Sequence, residues 1–159
     1  MALKMRNQKV LLQYILKRSN LIKAGLIYGL AAMVADLQNH AKLSAGYDDQ
    51  TSNLKSSIGG VVLQDGKPVS YAGFVKEGSA DSGDKEGSAF LEEVIAAQSR
   101  SGFTIILVAG MEYATYVENN YELNVLKSTE LKMQKDLERF IKNFKRKIDT
   151  LNTDALYIA

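Results

Sequence analysis

From Ile22 onward, apolar residues recur as Leu26, Leu30, Met33, Val34, Leu37 and Ala41. A spacing of three and four sustained over about six turns specifies a helix with one buried stripe. Nothing else in the chain constrains the fold as strongly. A helix of that length needs a broad apolar surface to lie on. Gly25 and Gly29 fall inside it. Each costs up to ~1 kcal/mol in a helix interior, so the pair predicts close packing against a neighbour. Ser19-Asn20 offers a cap and predicts a break from an earlier helical stretch, Met5 to Lys17, and Gly46 predicts the helix end.

A second stripe closes the chain. Leu126, Met133, Leu137, Phe140, Ile141, Phe144 and Ile148 predict an amphipathic helix over Val125 to Ile148. Lys142, Lys145, Arg146 and Lys147 gather in its last turns, where cations complement the carbonyl end of the helix dipole. The tail, Asp149 to Ala159, carries Leu151, Leu156, Tyr157 and Ile158 and is expected to pair as an extra strand or to dock as an arm.

Strands are predicted between the helices. Ser57 to Gln64 is β-branched around Ile58, Val61 and Val62, Asp65-Gly66 reads as a hairpin turn, and Lys67 to Val75 as the return strand. Pro68, the only proline, marks that strand as an edge. Lys76 to Gly87, rich in Gly, Ser and Asp, is expected to be a flexible loop. Ser88 then caps a short helix over Ala89 to Gln98, with Phe90, Leu91, Val94 and Ile95 turned inward. Phe103 to Ala109 is apolar almost without interruption and predicts a central strand covered on both faces. Grouped strands with long helices at both ends give an α+β domain with a small, mostly antiparallel sheet, occupying residues 1–159 as one unit.

Composition bounds the function. The chain is 159 residues long, 46% hydrophobic and 24% charged, with a net charge of +2. That charge is too small to drive nucleic-acid binding by field strength. The basic end of the last helix is diluted by Glu138 and Asp149, so any nucleic-acid contact is expected to lack sequence specificity. With no cysteine, disulfides and thiolate metal sites are excluded. Ala24 to Val34, the longest apolar segment, is about half the ~20 residues of a spanning helix, so no membrane role is expected.

Chemistry-bearing residues are sparse. His40 is the only histidine. Asp48-Asp49 begins a loop without the late acidic ligand that a calcium site needs, and Asp81 to Glu86 fails in the same way. Glu92-Glu93, Glu112, Glu118 and Glu122 supply carboxylates but no readable pair. Gly59-Gly60 lies in a strand and opens no phosphate-binding helix. A hydrolase using Glu112 or Glu118 with His40 is the enzymatic alternative, and no cofactor or metal is expected. Tyr113, Tyr116 and Tyr121 form an aromatic group that either closes the core or anchors an interface.

Two stretches carry a resemblance. Thr51, Leu54, Lys55, Ser57 and Ile58 fit a loop-to-strand pattern reading Thr-Gly-x-Leu-[Arg/Lys]-x-Ser-Ile, with Ser52 at the glycine position. Tyr113, Ala114, Tyr116, Val117 and Glu118 fit a strand followed by Tyr-Ala-x-Tyr-Val-Glu. Together they resemble the tail-completion (head–tail joining) proteins of long-tailed phages, in the variant seen in prophages and mobile elements of gut bacteria. The resemblance spans about Leu21 to Lys147. The chain departs from the commoner pattern in Asn119-Asn120, where Gly-Thr is usual, and in the insert from Lys76 to Ser101. It implies a non-enzymatic virion protein at the head–tail junction, made in the host cytoplasm. It further implies a homo-oligomer forming or joining a ring between portal and tail tube, with other neck or tail proteins as partners. A small protein-binding adaptor encoded on a mobile element is the alternative of another class.

Overall fold

The computed structural model describes residues 8–43, 50–121 and 125–156. The chain is α+β. In order it forms α1 (Gln8–Leu43), α2 (Asn53–Ser56), β1 (Ile58–Gln64), β2 (Lys67–Gly73), α3 (Gly83–Ala96), β3 (Phe103–Ala109), α4 (Ala114–Tyr121) and α5 (Lys127–Leu156). The three strands make one antiparallel sheet in the order β2-β1-β3.

The Asp65-Gly66 hairpin is as expected. Both residues have positive φ, 52° and 76°, the conformation that matches a two-residue turn to the twist of its strands. The Asp65 N–H donates to the Gly102 carbonyl at 2.8 Å, and the Gly102 N–H donates to the Asp65 carboxylate at 2.9 Å. The hairpin tip therefore fixes where β3 begins. Pro68 does lie on an edge strand, and the β1–β2 register slips at Val62/Leu63 beside it.

β3 is not the central strand. Among the described residues it pairs with β1 alone, from Ile58↔Ala109 to Gln64↔Phe103, and its other side is an edge. The centre belongs to β1, buried from Ile58 to Leu63. The two glycines of β1 make room for its neighbours. A Cβ on Gly59 would stand 2.5 Å from the Phe74 ring, and one on Gly60 would meet the Ile106 carbonyl oxygen at 2.6 Å. β2 stops at Gly73 instead of Val75, because Gly73 and Phe74 both take positive φ and fold the Phe74 ring back over β1.

Helices cover both faces of the sheet. Val61, Leu63 and Val108 meet Leu91 and Ile95 of α3 on one face. On the other, Val62 meets Leu30 and Val34 of α1, with Leu137 and Phe140 of α5 packed alongside. The glycines of α1 receive the aromatic rings of α5. Gly29 lies under Phe140 and Gly25 under Phe144, and these two rings stack at 5.6 Å. The packing expected from the glycine pair is thus present.

Three further boundaries need correction. α1 runs unbroken through Ser19-Asn20, because the first helical stretch and the main stripe share one axis. α3 begins at Gly83, not Ala89, so Lys76 to Gly87 is half helix and Ser88 is interior. Its Phe90 is 42% exposed, whereas Leu91 and Ile95 are buried. Residues 149–156 extend α5 and form no strand. Gly46 and Asp48-Asp49 lie outside the described residues.

The early turns of α1 carry apolar side chains that the other described residues leave uncovered. Val10, Leu11, Leu12, Tyr14, Ile15, Leu16 and Leu21 are all exposed. By length and composition alone, α1 over Lys9–Leu43 could cross a membrane, which the short apolar segment Ala24 to Val34 did not suggest.

Candidate functional site

The two stretches behind the family resemblance meet in space. Ser52 opens the first in a left-handed conformation, φ 58°. This is the position where the family pattern has glycine, the residue that adopts such a φ at no steric cost. One helical turn, α2, follows and buries Leu54. The Ser57 hydroxyl donates to the Leu54 carbonyl at 2.8 Å and closes that turn. The Ser57 carbonyl accepts the Gly110 N–H at 3.2 Å, which ties the start of β1 to the end of β3. Ile58 is fully buried. Thr51 is exposed and Lys55 half-buried.

In the second stretch, Ala114 and Val117 face inward, one turn apart on α4. They join Leu54, Ile58, Ala41 and Val125 in a single apolar cluster. Glu118 extends from the same helix to the start of α5. One carboxylate oxygen accepts the Leu126 N–H at 2.8 Å and the other accepts the Lys127 N–H at 3.0 Å. An anion on exposed helix-terminal N–H groups is the favoured partner there. Tyr113 and Tyr116 point away, 40% and 55% exposed. They do not close the core, which Ala114 and Val117 do in their place.

Asn53 escaped the sequence reading. Its side-chain oxygen accepts the N–H groups of Asp81, Ser82 and Gly83 at 2.8, 3.3 and 3.2 Å. It therefore caps α3 from the first residue of α2, and the loop after β2 is pinned. The Ser56 hydroxyl adds a bond from the Glu77 N–H at 2.9 Å. Asn at the head of a short helix gives no hint of a partner about thirty residues away, across the whole β1–β2 hairpin. Glycines let these backbones touch. A Cβ on Gly83 would stand 2.1 Å from the Asn53 carbonyl oxygen, and one on Gly110 2.3 Å from Gly87.

Ionisable groups are engaged in holding helices. His40 Nδ1 lies 3.0 Å from the hydroxyl of fully buried Thr129, joining α1 to α5. Lys42, almost buried, pairs with Glu77 at 2.6 Å. Lys132 bridges Asp36 of α1, at 2.5 Å, and Asp136 of its own helix. Its hydrogen bond holds the Asp136 carboxyl below the usual range, and the bonds to Asp136 and then Asp36 hold the Lys132 ammonium above its own. Glu92 accepts the Tyr71 hydroxyl at 3.0 Å; the phenol is pushed up by burial first and by Glu92 second. Glu112 is exposed. Among the described residues, no group of three His, Asp or Glu side chains could hold a metal.

A groove of about 900 Å³ runs along the outer edge of β3. Thr104 to Ala109 form its floor, Phe90 and Val94 of α3 one wall, and Leu126, Thr129 and Met133 the other. Glu118 and Glu130 lie at its margin.

No family model, curated protein or solved structure matches the chain.

Proposed function

We propose that this chain is a structural subunit of a phage or prophage head–tail junction, of the tail-completion type, and that it works by shape and contact. One observation carries the reading. The two stretches that resemble the family converge on one apolar cluster, and Glu118 caps the final helix from it. Motif residues used this way define a framework that holds two long helices on a small sheet. A ring subunit needs a rigid body and surfaces left for neighbours. The framework gives the first. Tyr113, Tyr116 and the early turns of α1 offer the second. Tyrosine is favoured where a contact keeps one polar end wet.

The test is removal of the gene from an inducible phage or prophage, followed by electron microscopy of the lysate. Filled heads separated from tails are expected, and joined virions would overturn the reading. Complementation by the intact gene ties the phenotype to this chain.

A further inference from the structure

We infer that the outer face of α1, over its early turns, lies on the surface of an anionic lipid bilayer. This does not depend on the junction role.

Helix period defines the face. Leu30, Val34, Leu37 and Ala41 are the buried stripe of α1, and Leu30 and Val34 meet the sheet at Val62. Half a turn round from that stripe come Val10, Tyr14, Leu21 and Tyr28. All four are at least 51% exposed. A helix on the outside of a soluble domain carries polar residues there. Leu12 and Leu16 continue the line of the core stripe toward the start of the helix and are exposed as well.

The same turns are basic. Residues 1–35 hold Lys4, Arg6, Lys9, Lys17, Arg18 and Lys23 and no acidic residue, in a chain whose basic and acidic residues nearly balance, 20 to 18. A second set of cations joins them. Asp36 reaches Lys132, Gly29 lies under Phe140 and Gly25 under Phe144, so α1 and α5 run antiparallel. The turns of α5 that follow Phe144 therefore run back along the early turns of α1. Lys145, Arg146 and Lys147 are exposed there, ahead of Asp149.

Charge and apolarity together select the occupant. Nucleic acid would meet the cations through its phosphates but leave Val10, Leu21 and Tyr28 in water. A second copy laid on this face would set Lys17 and Arg18 against their own kind, with no acidic residue before Asp36 to offset them. An anionic bilayer answers both features. Apolar side chains enter the boundary between headgroups and acyl chains, while lysine and arginine stems reach back to the phosphates. Tyrosine is favoured at that level, with its ring in the apolar layer and its hydroxyl wet. Arg18 donates to the Tyr14 hydroxyl at 3.2 Å, so the two sit together at headgroup depth. The core stripe of α1 stays on the sheet, on the opposite side of the helix. The helix therefore lies along the bilayer and does not cross it, a placement for which the short apolar run Ala24 to Val34 is no obstacle.

Cosedimentation of the full chain with vesicles tests this. The wild-type chain should bind vesicles of mixed phosphatidylglycerol and phosphatidylcholine, and at least about tenfold more weakly vesicles of phosphatidylcholine alone. Replacing Lys17 and Arg18 together by glutamine should weaken binding to the anionic vesicles by about tenfold or more. Val10→Ser combined with Leu21→Ser should do the same through lost apolar burial. These side chains are largely exposed, so the far-UV circular dichroism spectrum should not change. Val75→Ser, at an exposed apolar residue elsewhere, should leave binding as it is. The chain has no tryptophan, so Tyr28→Trp supplies a depth probe whose emission should shift to the blue on anionic vesicles. Failure of the wild-type chain to bind anionic vesicles, or equal binding to phosphatidylcholine alone, overturns the inference. So does a dimer in sedimentation equilibrium that Leu21→Ser dissolves, or a chain that binds duplex DNA and ignores vesicles.

Discussion

The carboxylate of Glu118 holds the first turn of α5 through the backbone N–H of Leu126, at 2.8 Å. The side chain stands at the end of one motif and the N–H at the start of the longest amphipathic stripe after α1. A single acidic residue thus couples the short helix after the sheet to the helix that packs on α1. This accounts physically for glutamate in that place. Glutamine keeps only one of the two accepting oxygens, and it would lose the charge that favours a helix start.

Glu118→Ala is therefore predicted to destabilise the fold by ~1–2 kcal/mol, the usual cost of deleting a cap. Glu118→Gln should cost less than the alanine variant. Urea unfolding monitored by circular dichroism gives both values. Equal stability of all three proteins would show that water replaces the cap without loss.

The two helix glycines should respond in opposite ways. A Cβ at Gly29 would lie 2.2 Å from the Phe140 ring, so Gly29→Ala forces that ring from its place beside Phe144. Overpacking of this kind costs ~1–3 kcal/mol. At Gly25 the nearest ring atom would be 3.4 Å away, close to ordinary contact. Gly25→Ala is predicted to be neutral, or to stabilise by up to ~1 kcal/mol through helix propensity. Combining Gly29→Ala with Phe140→Leu should recover part of the loss, a coupling that a double-mutant cycle measures.

This contrast marks what could be read from the residues and what could not. The long stripes, the hairpin at Asp65-Gly66 and the use of Gly29 were legible, because each depends on local spacing or on one residue's conformational freedom. The place of β3 in the sheet was not. A doubly apolar strand is normally interior, and nothing local reveals that β1 lies between it and β2. The start of α3 was missed for a related reason. Its cap, Asn53, comes from a residue distant in sequence, so Ser88 looked the better signal. Of the motif residues, Leu54, Ser57, Ile58, Ala114, Val117 and Glu118 have roles that the packing explains.

Asn53→Ala would orphan three N–H groups at the head of α3. A stability loss of ~1–2 kcal/mol is predicted from the lost cap. The readout that isolates the cause is hydrogen exchange. The amides of Asp81, Ser82 and Gly83 should lose protection, while those of β1 keep theirs relative to global stability. Loss spread evenly over the chain would instead point to a general weakening.

The bridge at Lys132 makes a pH-dependent prediction. Asp136 ionises more readily in the folded chain than in the unfolded one, chiefly because Lys132 donates to it. Its contribution is then complete above the ordinary unfolded carboxylate value, about 3.9, and fades as pH falls through the lower folded value. Lys132 shifts upward, so its share is complete below its own unfolded value and fades only in strong alkali. Both groups are partly exposed, which limits the pair to about 1 kcal/mol or less. Lys132→Met should be less stable than wild type near neutrality. The gap should narrow steadily as the solution is acidified below about pH 4. Thermal melts of both proteins across that range decide it, and a gap that widens in acid would mean the carboxylate is not the partner that matters.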